Sequence, residues 1–354
     1  MARKLMKGAE VLCEAAIKAD CKYFFGYPIT PQNEVPEYMA RELPKIGGVF
    51  VQSESEVAAI NMVYGGAATG KRVMTSSSSP GIALKQEGIS YLAAAELPCV
   101  IASISRSGPG LGGILPSQAD YFQATRGGGN GDYQCLVVAP ANLQEMADLT
   151  QKAFYLSEKY RTPAILLADG MLCQMMEPVE IENSPYEVID NKPWSLEEGT
   201  KNRSQHIVSS LHLDVRELEA HNKHLQEKYN KMKSEQMYES YLCDDAELVV
   251  VSYGSASRVV RNAVDNLRAK GVKVGVLRPI TLKPFPQKAF DELSGSVKKL
   301  LAAEYSCGQM VDDVKIANNG KREISFYGRT GGSMFSVEEI ENKILLDMEA
   351  SSNE

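Results

Sequence analysis

The sequence predicts an α/β fold in two parts: a larger parallel-sheet domain, then a smaller α/β domain. Three observations predict it. Strand-like runs such as Cys99-Val100-Ile101-Ala102-Ser103-Ile104 are apolar without alternation, as strands buried on both faces are. These runs alternate with helix-length segments, the order that builds a parallel sheet through crossovers. The alternation stops near residue 181 and resumes near 247. The expected units are therefore 1–184, a helical linker or insert over 185–243, and 244–354.

In chain order, residues 9–20 read as an amphipathic helix and Tyr23-Phe24-Phe25-Gly26-Tyr27 as a strand running into Pro28-Ile29-Thr30-Pro31. The two prolines fix φ and remove two backbone donors, so the turn presents Thr30 rather than pairing it. A helix over Val35 to Leu43 and a strand over Val49 to Gln52 follow. Glu56 then heads a helix of small residues, where the free N–H groups favour a negative charge. Arg72 to Ser76 reads as a strand, Ile82 to Leu92 as a helix, and Cys99 to Ile104 as a strand ending at Ser105-Arg106. Strands at Leu136 to Pro140 and Ala164 to Asp169 flank a helix from Leu143 to Tyr160. Thr30, Glu56, Ser78 and Arg106 all fall just beyond strand C-terminal ends, where open α/β sheets bind ligands.

Between the two parts, Leu211, Leu218, Leu225 and Met232 recur every seven residues, which reads as an amphipathic helix or helical hairpin laid on another surface. The second part offers strands at Glu247 to Ser255, Val272 to Pro279, Lys299 to Glu304 and Ile324 to Tyr327. Helices are expected over Ala256 to Lys270 and from Pro286 to Leu293.

Composition narrows the function. The chain has 354 residues and a net charge of −7, which argues against nucleic acid or an anionic membrane as main partner. No apolar run approaches the ~20 residues of a membrane span, and the basic N-terminus lacks the apolar core of a signal peptide. A cytoplasmic protein is expected. The seven cysteines form no C-x-x-C pair, which argues against a local zinc ribbon or iron–sulfur cluster and suits reduced thiols. All four histidines lie at 206, 212, 221 and 224. A zinc pair from His221 and His224 competes there with plain solvated helix positions, and no metal ligand is assigned.

Other candidates carry two readings each. Gly254-Ser255-Ala256-Ser257 after a strand is either a phosphate cradle at a helix start or a tight turn. It has neither the dinucleotide nor the P-loop pattern. Gly127 to Asp132 is a glycine-dense loop that reads as a cover over a site. Singly, Glu56 is an ordinary acid at a helix start, Thr30 a turn residue and Arg106 a surface charge. Their convergence on one sheet edge is what favours a site.

Here the residues resemble a known family. Gly26-Tyr27-Pro28-Ile29-Thr30-Pro31, Gln52 to Glu56 with Gly65, and Thr75 to Gly81 with Gln86-Glu87 resemble the α-chain of 2-oxoacid:ferredoxin oxidoreductases. Tyr253-Gly254-Ser255, Leu277-Arg278-Pro279, Lys283-Pro284-Phe285-Pro286 and Glu304 before Gly308-Gln309 are similar to its transketolase-C-like domain. The continuation Pro31 to Tyr38 resembles the branched-chain, 2-oxoisovalerate branch. The resemblance implies a pyrimidine-type thiamine-diphosphate domain followed by the transketolase-C-like domain. It implies an α subunit active only with partners, decarboxylating a branched-chain 2-oxoacid to acyl-CoA and reducing ferredoxin. Pro28 and Glu56 would bind the aminopyrimidine, with Glu56 catalytic, and Thr30 and Arg106 the 2-oxoacid. A β-chain would hold the diphosphate and Mg²⁺, and γ/δ chains the iron–sulfur clusters. Ala168-Asp169-Gly170 lacks the first glycine of the family's diphosphate motif. Leu115-Pro116-Ser117-Gln118 stands where other branches are more basic, which suits an apolar substrate. A non-oxidative thiamine-dependent decarboxylase and a non-catalytic structural subunit are the alternatives.

Overall fold

The computed structural model describes residues 3–189, 192–196 and 206–352. Residues 190–191 and 197–205 of the expected linker lie outside them. The first part runs β1 (Lys4–Lys7), α1 (Gly8–Lys18), β2 (Tyr23–Gly26), α2 (Glu34–Glu42), β3 (Val49–Gln52), α3 (Glu56–Ala68), β4 (Val73–Ser78), α4 (Ser79–Ala94) and β5 (Val100–Ser105). It continues with α5 (Tyr121–Thr125), β6 (Leu136–Val138), α6 (Leu143–Tyr160), β7 (Ala164–Asp169), α7 (Gly170–Gln174) and β8 (Met176–Val179). After α8 (Val215–Met232) come β9 (Tyr238–Tyr241), β10 (Leu248–Val251), α9 (Ala256–Ala269), β11 (Val274–Pro279), β12 (Thr281–Lys283) and α10 (Gln287–Asp291). The chain closes with β13 (Lys299–Glu304), α11 (Met310–Asn318), β14 (Glu323–Gly328) and α12 (Val337–Ser352).

A seven-stranded sheet has the order β12-β6-β7-β5-β4-β2-β3, parallel from β6 to β3. Its remaining strand, β12, pairs antiparallel with β6 at one edge. A five-stranded sheet has the order β14-β13-β10-β11-β9, again parallel except for antiparallel β9. β1 and β8 pair antiparallel by themselves. The α/β expectation holds, with antiparallel edges in place of a purely parallel sheet.

Helices cover both faces of the large sheet. Leu12, Met39 and Phe154, from α1, α2 and α6, share one buried cluster with Met74, Val100 and Leu166 of the strands. On the other face, Ile60 of α3 and Ile82 and Ile89 of α4 pack with Val73, Ile101 and Ile165. That cluster continues into Val249, Val251 and Leu277 of the smaller sheet, so one core joins the two sheets. The smaller sheet's other face is closed by Val260 and Leu267 of α9 and Ile340 and Ile344 of α12.

Three expectations change in detail. α4 starts at Ser79, not Ile82, because Pro80 is well tolerated in a helix's first turn. The heptad stripe is only half used: Leu225, Tyr229 and Met232 are buried, whereas Leu211 and Val215 are 70% and 81% exposed. The expected helical insert, 185–243, also contains a strand, β9, since Tyr238–Tyr241 finds β11 as a partner. No helix among the described residues is long and apolar enough to cross a membrane.

Candidate functional site

β5, β4, β2 and β3 are adjacent, so residues after their C-terminal ends share one edge of the sheet. Arg106 follows β5, Ser78 is the last residue of β4 and not beyond it, with Ser79 beginning α4, Thr30 lies in the turn after β2, and Glu56 opens α3 after β3. Ser55 caps α3 by accepting the Ala58 N–H at 3.2 Å. This frees Glu56 from capping, and its side chain makes no hydrogen bond among the described residues although it is only 7% exposed.

The Glu56 carboxylate lies over Gly81 in the first turn of α4. A Cβ added at Gly81 would sit 2.6 Å from Glu56 Oε1 and 2.1 Å from Ser77 Oγ. Glycine is therefore required here by a close approach, not by its backbone angles. Near this point the Ser77 and Ser78 hydroxyls, and that of Ser103 in register with Ser77, are buried without a partner. Buried polar atoms in a folded protein are nearly always paired, so unpaired ones gathered at a sheet edge point to a polar guest or ordered water.

The structure brings Thr30 and Arg106 together directly. Arg106 Nη1 donates to the Thr30 carbonyl at 2.9 Å and Nη2 to the Leu111 carbonyl at 3.1 Å. Its Nε is buried and unpaired. Ser79 fixes this arginine's backbone, its Oγ accepting the Arg106 N–H at 2.9 Å and donating to Asp120 at 2.5 Å. Burial pushes the Asp120 carboxyl up, opposed by the Ser79 hydroxyl and the Arg106 charge. Thr30 and Pro28 are exposed, and no hydrogen bond ties Pro28 to the other three candidates among the described residues.

Several supporting residues were not singled out in the sequence. Gln32 is fully buried and accepts from Ser76 Oγ at 2.5 Å, which clamps the proline turn onto β4. Asp120 and Ser79 carried no distinguishing spacing. Lys85 did: it stands three residues after Ile82 and four before Ile89, on the buried stripe of α4.

The other candidates are spent internally. Asp169 caps α7, accepting from the Met171 and Leu172 N–H groups at 3.0 Å each, and also receives the Ser255 hydroxyl. Ser257 Oγ donates to the Gly254 carbonyl at 2.7 Å, so the glycine-serine segment is a strand-to-helix turn. The Gly128 N–H donates to Gln86 Oε1 at 2.9 Å, placing the glycine-dense loop against α4. His221 bonds the Ala94 carbonyl at 2.8 Å and His224 bonds Glu96 at 3.1 Å.

Residues 14–241 match the family model described as pyruvate flavodoxin/ferredoxin oxidoreductase, thiamine diphosphate-binding. The chain belongs to this family. Residues 246–340 match the model of pyruvate:ferredoxin oxidoreductase core domain II. The chain is 47% identical to ketoisovalerate oxidoreductase subunit VorB of Methanothermobacter thermautotrophicus, over 97% of each protein. It is 36% identical to 2-oxoglutarate synthase subunit KorA of Methanocaldococcus jannaschii, over 97% of this chain and 99% of that one. Among solved structures, it is similar to a 2-oxoglutarate:ferredoxin oxidoreductase from Magnetococcus marinus with 2-oxoglutarate, coenzyme A and succinyl-CoA bound, with TM-score 0.85 and 29% identity. The match covers 97% of this chain and 65% of that longer one. A split-gene transketolase shares the fold at TM-score 0.58 and 11% identity. Expectation and comparison agree on family and fold, and the relatives' names as subunits imply a hetero-oligomer.

Proposed function

We propose that this chain is the α subunit of a 2-oxoacid:ferredoxin oxidoreductase that oxidatively decarboxylates a branched-chain 2-oxoacid to its acyl-CoA. Its units are 1–184, 185–243 and 244–354. The observation that carries the reading is the buried Glu56 carboxylate, without a hydrogen bond among the described residues, over Gly81 at the edge that also presents Thr30 and Arg106. These residues fit the aminopyrimidine end of thiamine diphosphate: one free carboxylate, unpaired hydroxyls of Ser77 and Ser78, and a side-chain-free floor. Bound thiamine diphosphate supplies the electron sink for decarboxylation. Glu56 holds the proton at the ring nitrogen N1′, and Pro28 lines the ring through its backbone.

The diphosphate end has no home on this chain's candidate aspartate, since Asp169 is committed to capping and to Ser255. A β-chain therefore supplies the diphosphate and Mg²⁺ contacts. The γ/δ chains carry iron–sulfur clusters to ferredoxin, and coenzyme A takes the acyl group.

Arg106 binds the substrate carboxylate, because a guanidinium fork with a spare buried donor suits a planar anion. Thr30 lies beside it. The chain around this arginine is apolar: Leu111, Ile114 and Leu115 are 81%, 62% and 56% exposed. Thr30, Ile114, Leu115, Met171, Met175 and Met334 line an open groove of about 810 Å³. Glu34 and Glu37 also line it, so the groove pairs an aliphatic wall with negative charge and offers no cation to a second carboxylate.

The test uses the co-expressed complex. Glu56→Gln is expected to lower ferredoxin-linked turnover by about 10²–10⁴-fold, the usual worth of a positioned acid–base group, while assembly is retained. Turnover near wild type in that variant, or aldehyde formed without ferredoxin reduction by the wild type, would overturn the reading.

A further inference from the structure

Lys85 is 0% exposed. It projects from the buried stripe of α4, one helical turn beyond Gly81, over which the Glu56 carboxylate lies. Its ammonium has three donors, and among the described residues its acceptor is the Thr75 hydroxyl, at 3.0 Å. Thr75 and Ser77 alternate on β4 and so share one face of the sheet. Glu56, Ser77, Gly81, Thr75 and Lys85 thus form one buried polar column running inward from the sheet edge.

A buried ammonium with so little hydrogen bonding is costly, and a methionine would fill the same space without that cost. The charge must be balanced by another charge, and Glu56 is the charged group whose field acts on it. We propose that Lys85 is the internal counter-charge of Glu56, a positioning residue that holds the carboxylate toward the cofactor's ring. The proposal rests on Glu56 being the ring-binding carboxylate. Burial lowers Lys85 to about 8, and the Glu56 charge opposes that fall. Among the described residues, the groups that act on Lys85 are Glu56 from α3 and the neutral Thr75 from β4.

The pair is tested first without cofactor, so that the result does not depend on the reaction. Thermal midpoints of the cofactor-free complex are compared for wild type, Lys85→Met, Glu56→Gln and the double variant. In the wild-type background, Lys85→Met leaves a buried carboxylate alone; in the Glu56→Gln background it removes the last charge. The change caused by Lys85→Met should therefore be more favourable in the Glu56→Gln background, by about 2 °C or more. Equal changes in both backgrounds would reduce Lys85 to a structural partner of Thr75 and overturn the proposal.

Should Lys85→Met fail to fold, Lys85→Gln, which retains a donor to Thr75, takes its place in the cycle. Glu56→Gln alone gives a further reading. Lys85 is depressed in the folded state relative to the unfolded one, so stability rises as pH passes from about 8 towards the ordinary lysine value. Loss of the Glu56 charge moves the onset of that rise to lower pH; an unmoved onset overturns the pairing. In the loaded complex, Lys85→Met should weaken thiamine diphosphate binding about tenfold in the wild-type background and leave it unchanged in the Glu56→Gln background. If the cycle shows coupling and Glu56→Gln leaves thiamine diphosphate binding unchanged, the pair stands and the assigned role of Glu56 fails.

Discussion

At residue scale, Gly81 shows how little room the Glu56 position leaves. Replacing it with alanine gains helix propensity of about 1 kcal/mol. Against that, the new methyl would have to enter space 2.6 Å from Glu56 Oε1 and 2.1 Å from Ser77 Oγ. Overpacking of this kind costs about 1–3 kcal/mol, so the clash wins and is relieved by moving the carboxylate. Gly81→Ala should lower the thermal midpoint by a few degrees and weaken thiamine diphosphate binding at least about tenfold, read by calorimetry on the complex. An unchanged affinity would show that the carboxylate's placement over Gly81 is immaterial. The residues legible in the sequence were those whose position alone is informative. Thr30, Glu56 and Arg106 each stand just past a strand, and strand ends can be read from hydrophobic runs. Gln32 and Asp120 were not legible, because their roles depend on partners at Ser76 and Ser79, 44 and 41 residues away. Lys85 was legible in principle, as a charge on an otherwise apolar helical stripe.

At the scale of elements, the buried Glu158 on α6 joins parts of the chain that share no local signal. It meets Arg72, just before β4, at 2.6 Å and Lys192 of the connecting segment at 2.6 Å. The Arg72 and Glu158 side chains are 2% and 3% exposed, so neither falls back on water. Arg72 also donates to the Ala19 carbonyl at 2.6 Å. Removing one partner of such a pair leaves the other buried and unpaired, which costs about 3–5 kcal/mol. Glu158→Ala should therefore lose about that much in urea-unfolding experiments, and Lys192→Ala clearly less, because Lys192 is nearer solvent at 12% exposure. A loss below about 1 kcal/mol for Glu158→Ala, the range of an exposed pair, would mean that α6 and the sheet are held by apolar packing alone. Elements with strong periodicity were legible to the residue: α6 spans Leu143–Tyr160 and β13 spans Lys299–Glu304, as expected. β1 was not, since Lys4–Lys7 carries no strand signature and is ordered by its partner β8. α8 was legible as amphipathic but not in its depth of burial. Its first turn is exposed, while His221, Lys228 and Tyr229 reach the body.

At the scale of the whole molecule, the two sheets exchange edge strands across the connection. β9 precedes β10 in the chain and completes the smaller sheet, and β12 leaves the smaller sheet's region to pair with β6 at the edge of the larger one. Neither exchange was legible. β12 is three residues long, next to Pro284, and its pairing is set by a partner more than a hundred residues upstream. The exchange is reinforced by Arg278, which binds Glu145 of α6 through both Nη atoms at 2.9 and 2.7 Å and Glu239 of β9 through Nε at 2.8 Å. Gln118 adds a second tie, donating to the Tyr253 carbonyl at 2.8 Å and accepting the Tyr305 N–H at 2.9 Å. The apolar core is continuous across the same boundary. Cutting the chain at residue 243 would therefore expose the β6 edge, Leu136–Val138, and a large apolar face together. A bare, apolar edge strand is a template for aggregation. The fragment 1–243 should be recovered insoluble or without a cooperative melt, whereas the full chain should unfold in a single transition by both circular dichroism and calorimetry. Two separate transitions in the full chain, or a soluble fragment with a sharp melt, would show that the strand exchange does not couple the sheets. A single transition carries a consequence for the site. Arg106 and Glu56 sit on the larger sheet, but Gln118, twelve residues after Arg106, is held by the smaller one, so the edge that carries the candidate site keeps its shape only while both sheets are folded.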